Sequence, residues 1–124
     1  MLARPAVAAA SVIVALLGVA ACAGADDDPA GAGATLVVTA TDDACTLDES
    51  TVTAGPVTLD VTNDGDQVTE VYVYAEGEAI VAEKEDITPG SSVEFTATLD
   101  AGSYQIACKP GQTGDGYRAD LTVE

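Results

Sequence analysis

Histidine and tryptophan are absent from the 124 residues, and methionine and phenylalanine occur once each. The lack of histidine removes both the most frequent general base and the most frequent metal-binding side chain. No G-x-S-x-G, no P-loop and no carboxylate pair at a fixed spacing is present either, so hydrolase and transferase readings have no support and the chain is read as a non-enzyme. Basic residues are almost as scarce, with 4 Lys plus Arg against 21 Asp plus Glu and a net charge of −17. A chain so acidic repels nucleic acid and anionic lipid and draws cations, which excludes a nucleic-acid partner. With no Trp and one Phe, any core must be small and aliphatic.

What is present begins with an N-terminal leader. Met1-Leu2-Ala3-Arg4 supplies a positive charge, and an apolar run from about Ala6 to Ala21 follows, short for a span of ~20 residues. Val19-Ala20-Ala21 places small residues immediately before Cys22. The pattern resembles a bacterial lipobox, which implies a lipoprotein signal peptide over residues 1–21 and a thioether-linked diacylglycerol on Cys22. After it, "AGADDDPAGAGA" (23–34) combines three Asp with Pro and alternating Gly and Ala. It cannot bury enough surface to order itself, so residues 22–34 are expected to be a lipidated, flexible acidic tether. Cleavage before Cys22 leaves Lys84, Lys109 and Arg118 against all 21 acids, a net charge of −18.

From Thr35 to Glu124 the apolar residues alternate or cluster in short runs. "TLVVTA" (35–40), "PVTLDVTN" (56–63), "TEVYVYA" (69–75), "SVEFTATL" (92–99), "GSYQIAC" (102–108) and "YRADLTV" (117–123) are strand-length segments rich in Val and Thr. Asp, Asn, Pro and Gly punctuate the gaps at "NDGD", "TPG" and "DAG". Six to eight strands over this length predict an all-β, antiparallel β-sandwich as the single domain. Alternation puts Val57, Leu59 and Val61 on one face and Thr58, Asp60 and Thr62 on the other, and it points Val93, Phe95, Ala97, Leu99, Leu121 and Val123 inward. Tyr72, Tyr74 and Tyr104 read as packing residues at a sheet edge or corner.

Cys45 and Cys108 remain in the mature domain. Outside the cytoplasm they form a disulfide by default. As thiolates they would instead suit thiophilic ions such as Cu(I) and Zn(II), provided they are reduced. Both readings stay open on the residues alone. Asp42, Asp43, Glu83 and Glu85 are nearby acids able to add oxygen ligands.

The segment 89–116, with its Pro-Gly, Phe95, Leu99, Gly102-x-Tyr104, Cys108 and Pro110, is similar to the closing half of cupredoxins, the small copper-binding Greek-key sandwiches. The resemblance implies a Cys ligand at Cys108, with Gly111 standing where a loop His would be and Gly116 where an axial Met would be. Blue copper needs two His around the thiolate, so electron transfer through such a centre is excluded here. A wider match covers most of the domain and resembles the cupredoxin-like domain of EfeO-type proteins of bacterial iron uptake. It rests on Asp42-x-x-Cys45, on Asn63 and Glu70 in "VTNDGDQVTEVYVY", on "IVAEKEDITPG" (80–90) and on Leu99-x-x-Gly102-x-Tyr104-x-x-x-Cys108. That resemblance implies metal positions at Cys45, Glu70 and Cys108, with Glu83 and Glu85 as weaker candidates. Ala79 stands at an apolar-sulfur position of the family.

Taken together, the expectation is an extracytoplasmic, membrane-anchored cupredoxin-like lipoprotein that binds iron or copper in metal uptake or handling. No haem or organic cofactor is expected. The implied partners are a metal ion, the membrane through the N-terminal lipid, and an iron-uptake permease or helical partner protein. The alternative is a structural or interaction sandwich stapled by Cys45–Cys108 and holding no metal.

Overall fold

Between Gly55 and Asn63 every second side chain, Val57, Leu59 and Val61, is fully buried, while Thr58, Asp60 and Thr62 stay partly exposed. That is the period of two imposed on a strand with one dry face. The same alternation organises the computed structural model, which describes residues 33–124. The expected signal peptide, the lipidated Cys22 and nearly all of the tether lie outside the described residues.

Nine strands run in chain order: β1 (Ala34–Ala40), β2 (Cys45–Leu47), β3 (Thr51–Val52), β4 (Gly55–Asn63), β5 (Thr69–Ala75), β6 (Ile80–Ile87), β7 (Ser92–Leu99), β8 (Gly102–Pro110) and β9 (Tyr117–Val123). They form a four-stranded sheet in the order β2-β1-β4-β7 and a five-stranded sheet in the order β3-β9-β8-β5-β6. The all-β sandwich is as expected, but the sheets are mixed. β1 pairs with β4 in parallel, and β3 pairs with β9 in parallel. Parallel neighbours need a crossover, and here the chain makes it by visiting β2 and then β3 of the opposite sheet before returning as β4.

Leu36, Val38, Leu59, Val61, Val71, Val73, Leu99, Ile106 and Leu121, all at or below 1 % exposure, fill the space between the sheets. Phe95 only packs against this cluster and remains half-buried, because β7 is the outer strand of its sheet. The strand β6 has no alternation to betray it: in "IVAEKEDI" only the half-buried Ala82 and the buried Ile87 turn toward the core, as its position at the other sheet's edge allows. Tyr104 does occupy a corner, donating its hydroxyl hydrogen bond to the Asp100 carbonyl at 2.8 Å.

One buried polar side chain ties the loops at the end of β4. Asn63, 1 % exposed, donates from Nδ2 to the carbonyls of Gln67 (2.8 Å) and Ile87 (2.9 Å) and accepts from the Gly65 amide (2.9 Å). Replacing it strands two carbonyls and an amide where water is scarce. Asn63→Ala is therefore expected to lose about 3 kcal/mol of unfolding free energy, read as a lower urea midpoint with an unchanged slope.

Candidate functional site

Cys45 lies on β2 of the four-stranded sheet and Cys108 on β8 of the five-stranded sheet, and the two are joined as a disulfide with a Cα–Cα distance of 5.4 Å. The bond closes a separation of 63 residues. On the chain-entropy argument such a cross-link contributes roughly 4 kcal/mol. Cys108 is fully buried within the core cluster, and Cys45 packs against that cluster from its edge. Of the two roles left open for the pair, the disulfide is the one present.

Glu70 does not join the two sulfurs. Its register partner on β8 is Lys109, while Val71 pairs with Cys108. Successive residues of a strand face opposite ways, so Cys108 and Val71 point into the core while Glu70 and Lys109 sit on the outer face of the five-stranded sheet. The Cys45–Glu70–Cys108 ligand set is therefore split by the sheet itself. Among the described residues no three Cys, Asp or Glu side chains stand close enough to hold a metal ion as placed.

The structure gathers other residues around Glu70. Glu70, Tyr72 and Tyr74 alternate outward along β5, and Glu83 on β6 is the register partner of Tyr72. The Tyr72 hydroxyl is pushed up to about 12, first by its partial withdrawal from water, then by its hydrogen bond with Glu83 and the charges of Glu70, Glu83 and Glu85. The charges of the three acids singled out in the sequence thus act on one phenol. Glu70 is only 8 % exposed, and no buried side-chain oxygen or nitrogen among the described residues is left without a partner.

Cations cover the neighbouring aromatic rings. Tyr72 and Tyr74 stack with centroids 5.6 Å apart. Lys109 places its ammonium 4.0 Å from the Tyr72 ring centre and donates to the Tyr74 hydroxyl at 2.7 Å. Arg118 lies 4.4 Å over Tyr74, pairs with Glu78 at 2.8 Å and donates to Gln105 Oε1 at 3.2 Å. Two of the domain's three basic residues are spent on this face. Sequence reading missed this cluster, although the outward period of "TEVYVYA" and of "CKP" was the signal that could have found it.

The loop after β8 is closed by backbone. Gly111, with φ of +74°, donates its amide to the Val68 carbonyl at 2.8 Å. Gly116, with φ of +69°, packs so tightly that a Cβ there would fall 2.5 Å from the Cys108 carbonyl oxygen and 2.7 Å from Lys109 Cγ. Asp42, considered as an oxygen ligand, instead accepts from the backbone amides of Asp66 (3.0 Å) and Gln67 (3.1 Å) and so fixes the turn after β4.

The family model for a cupredoxin-like domain matches residues 8–123. No curated protein sequence matches the chain. Among solved structures, auracyanin from Roseiflexus castenholzii superposes with a TM-score of 0.58 at 21 % identity, over 74 % of this chain and 99 % of its own. Auracyanin A from Chloroflexus aurantiacus, a "blue" copper protein, gives 0.56 at 22 % identity over 73 % of this chain and 98 % of its own. A rusticyanin structure gives 0.56 at 19 % identity over 74 % and 79 %. At these identities the likeness is one of fold.

The carboxylates around Tyr72 give a measurable signature. Because the folded-state value lies above the ordinary phenol value of 10, the neutral form is favoured by the fold. That contribution is complete below pH 10 and fades as pH rises toward 12. In an alkaline absorbance titration, one tyrosine should ionise well after the exposed ones, and Glu83→Gln should bring that late step to lower pH. Tyr72→Phe should remove it.

Proposed function

The chain belongs to the cupredoxin-like domain family, and from that premise we propose that it is a lipid-anchored, extracytoplasmic binding protein of the EfeO type, serving uptake or handling of iron or copper ions. Electron carriage and enzymatic catalysis are not part of this role. The observation that carries the reading is Glu70, only 8 % exposed on the outer face of β5, next to Tyr72, whose phenol is acted on by the charges of Glu70, Glu83 and Glu85. Carboxylate and phenol oxygens are hard donors, which favours iron over Cu(I). Glu83 and Glu85 are exposed and on an edge strand, so their side chains are free to swing toward an ion held at Glu70. The strongly negative chain raises the local cation concentration around them.

A blue copper centre does not fit the residues present. It needs two imidazoles and a thiolate, whereas the chain has no histidine, and the Cys108 sulfur is bonded to Cys45. The bridge also favours a second reading, an interaction sandwich that holds no metal at all.

Calorimetric titration of the oxidised chain with Fe(III) supplied as a citrate complex separates the two. One equivalent is expected to bind, and Glu70→Gln to weaken it about tenfold or more. No heat above dilution, or an affinity indifferent to Glu70→Gln, would move the assignment to the metal-free sandwich. For the anchor, mass spectrometry should find diacylglycerol on Cys22, and Cys22→Ala should leave an unprocessed, unlipidated chain.

A further inference from the structure

The mismatch between this chain and a copper centre is specific enough to interpret. In a blue copper protein, the cysteine at the end of the penultimate strand is bound by the metal, which is also held by side chains from elsewhere in the fold. The ion therefore ties distant segments together. Cys108 ends its buried run on β8 with the same inward direction, but its sulfur is joined to Cys45, which belongs to the opposite sheet. Among the described residues, no group of Cys, Asp or Glu stands close enough to complete a metal site with it. Glu70 and Lys109 lie on the far face of the sheet. Gly116 leaves no room for a side chain above the Cys108 carbonyl. Asp42 is engaged by two backbone amides at the neighbouring turn.

We propose that the Cys45–Cys108 bridge stands in for a metal in this domain: it is the tie between the two sheets, and the fold requires no metal at its cysteines. The geometry accounts for why a bridge suffices. β2 is three residues long, lies at the edge of its sheet and pairs only with β1, over Val38–Leu47, Thr39–Thr46 and Ala40–Cys45. Such a short strand has few hydrogen bonds to keep it in place. A covalent link from it to β8, which is paired on both sides by β5 and β9, fastens a weakly held edge to one of the best-held strands of the other sheet. The packing of β2 against β8 and β9 around Cys45 then closes that end of the core.

This inference concerns the inner face and is separate from the cation reading of the outer face, so the two are tested by different measurements. Thermal unfolding of the full chain is followed first with and without a strong chelator. The bridge is then reduced with a phosphine, which supplies two electrons while water supplies two protons to give two thiols. Finally, one equivalent of Cu(I) or Zn(II) is added to the reduced chain. The expected results are no shift with chelator, a fall of about 20 °C on reduction, and no recovery with either metal. Cys45→Ala/Cys108→Ala should melt near the reduced chain. If that variant fails to fold, the metal-recovery step on the reduced chain decides alone, since a metal able to replace the bridge would refold it. Recovery by metal, or a melting point indifferent to reduction, overturns the proposal. The same series run on Glu70→Gln, which removes the outer-face ligand, reads the cysteines alone, so Fe(III) binding by the oxidised chain can succeed or fail without deciding the outcome.

Discussion

A side chain on a strand leaves by one face or the other, and a shift of one residue reverses it. On β8 this constraint commits Ile106 and Cys108 to the core and turns Ala107, itself covered, and Lys109 to the outer face. On β5 it commits Val71 and Val73 inward and Glu70, Tyr72 and Tyr74 outward. Thiols and carboxylates that lie close in register are thereby kept on opposite sides of a sheet. The sulfurs meet each other across the sandwich, and the acids meet a phenol, a lysine and an arginine. Both the bridge and the charged outer face follow from that one division.

The same rule explains which parts of the architecture could be read from residues alone. β4 and β9 alternate cleanly because each has one wet and one dry face, and their inward residues Val57, Leu59, Val61, Leu121 and Val123 are all buried. β2 and β3, of three and two residues, are too short to show a period. β6 turns only Ala82 and Ile87 toward the core, so its sequence reads as an acidic stretch rather than a strand. The parallel pairing of β1 with β4 and of β3 with β9 depends on which sheet each short strand joins, which no local pattern encodes. At the site, Glu70, Glu83 and Glu85 were legible as candidates only through resemblance. Their separation from the cysteines was not, because it depends on the register of β5 against β8.

Charge is arranged with the same economy. The domain has only three basic residues, and two of them cover tyrosine rings: Lys109 lies over Tyr72 and donates to the Tyr74 hydroxyl, and Arg118 lies over Tyr74, held by Glu78 and Gln105. A cation over an aromatic face and partly withdrawn from water contributes roughly 1–2 kcal/mol. The pair Lys109 and Arg118 therefore stiffens the outer face of the central strands. It leaves only Lys84, between Glu83 and Glu85 on β6, to offset the acids of that edge.

Gly116 carries a consequence for engineering and for descent. Its left-handed backbone and the Cys108 carbonyl lying where its Cβ would go mean that a side chain cannot simply be added there. Gly111 is likewise left-handed and faces the Gln67 side-chain oxygen, 3.1 Å from where a Cβ would lie. At Gly111 the flexible Gln67 side chain can give way, whereas at Gly116 the Cys108 backbone cannot, so a side chain there demands a shift of the main chain as well as a freed thiol. Passage between a metal-bearing and a bridged form of this fold thus involves the course of the backbone at Gly116.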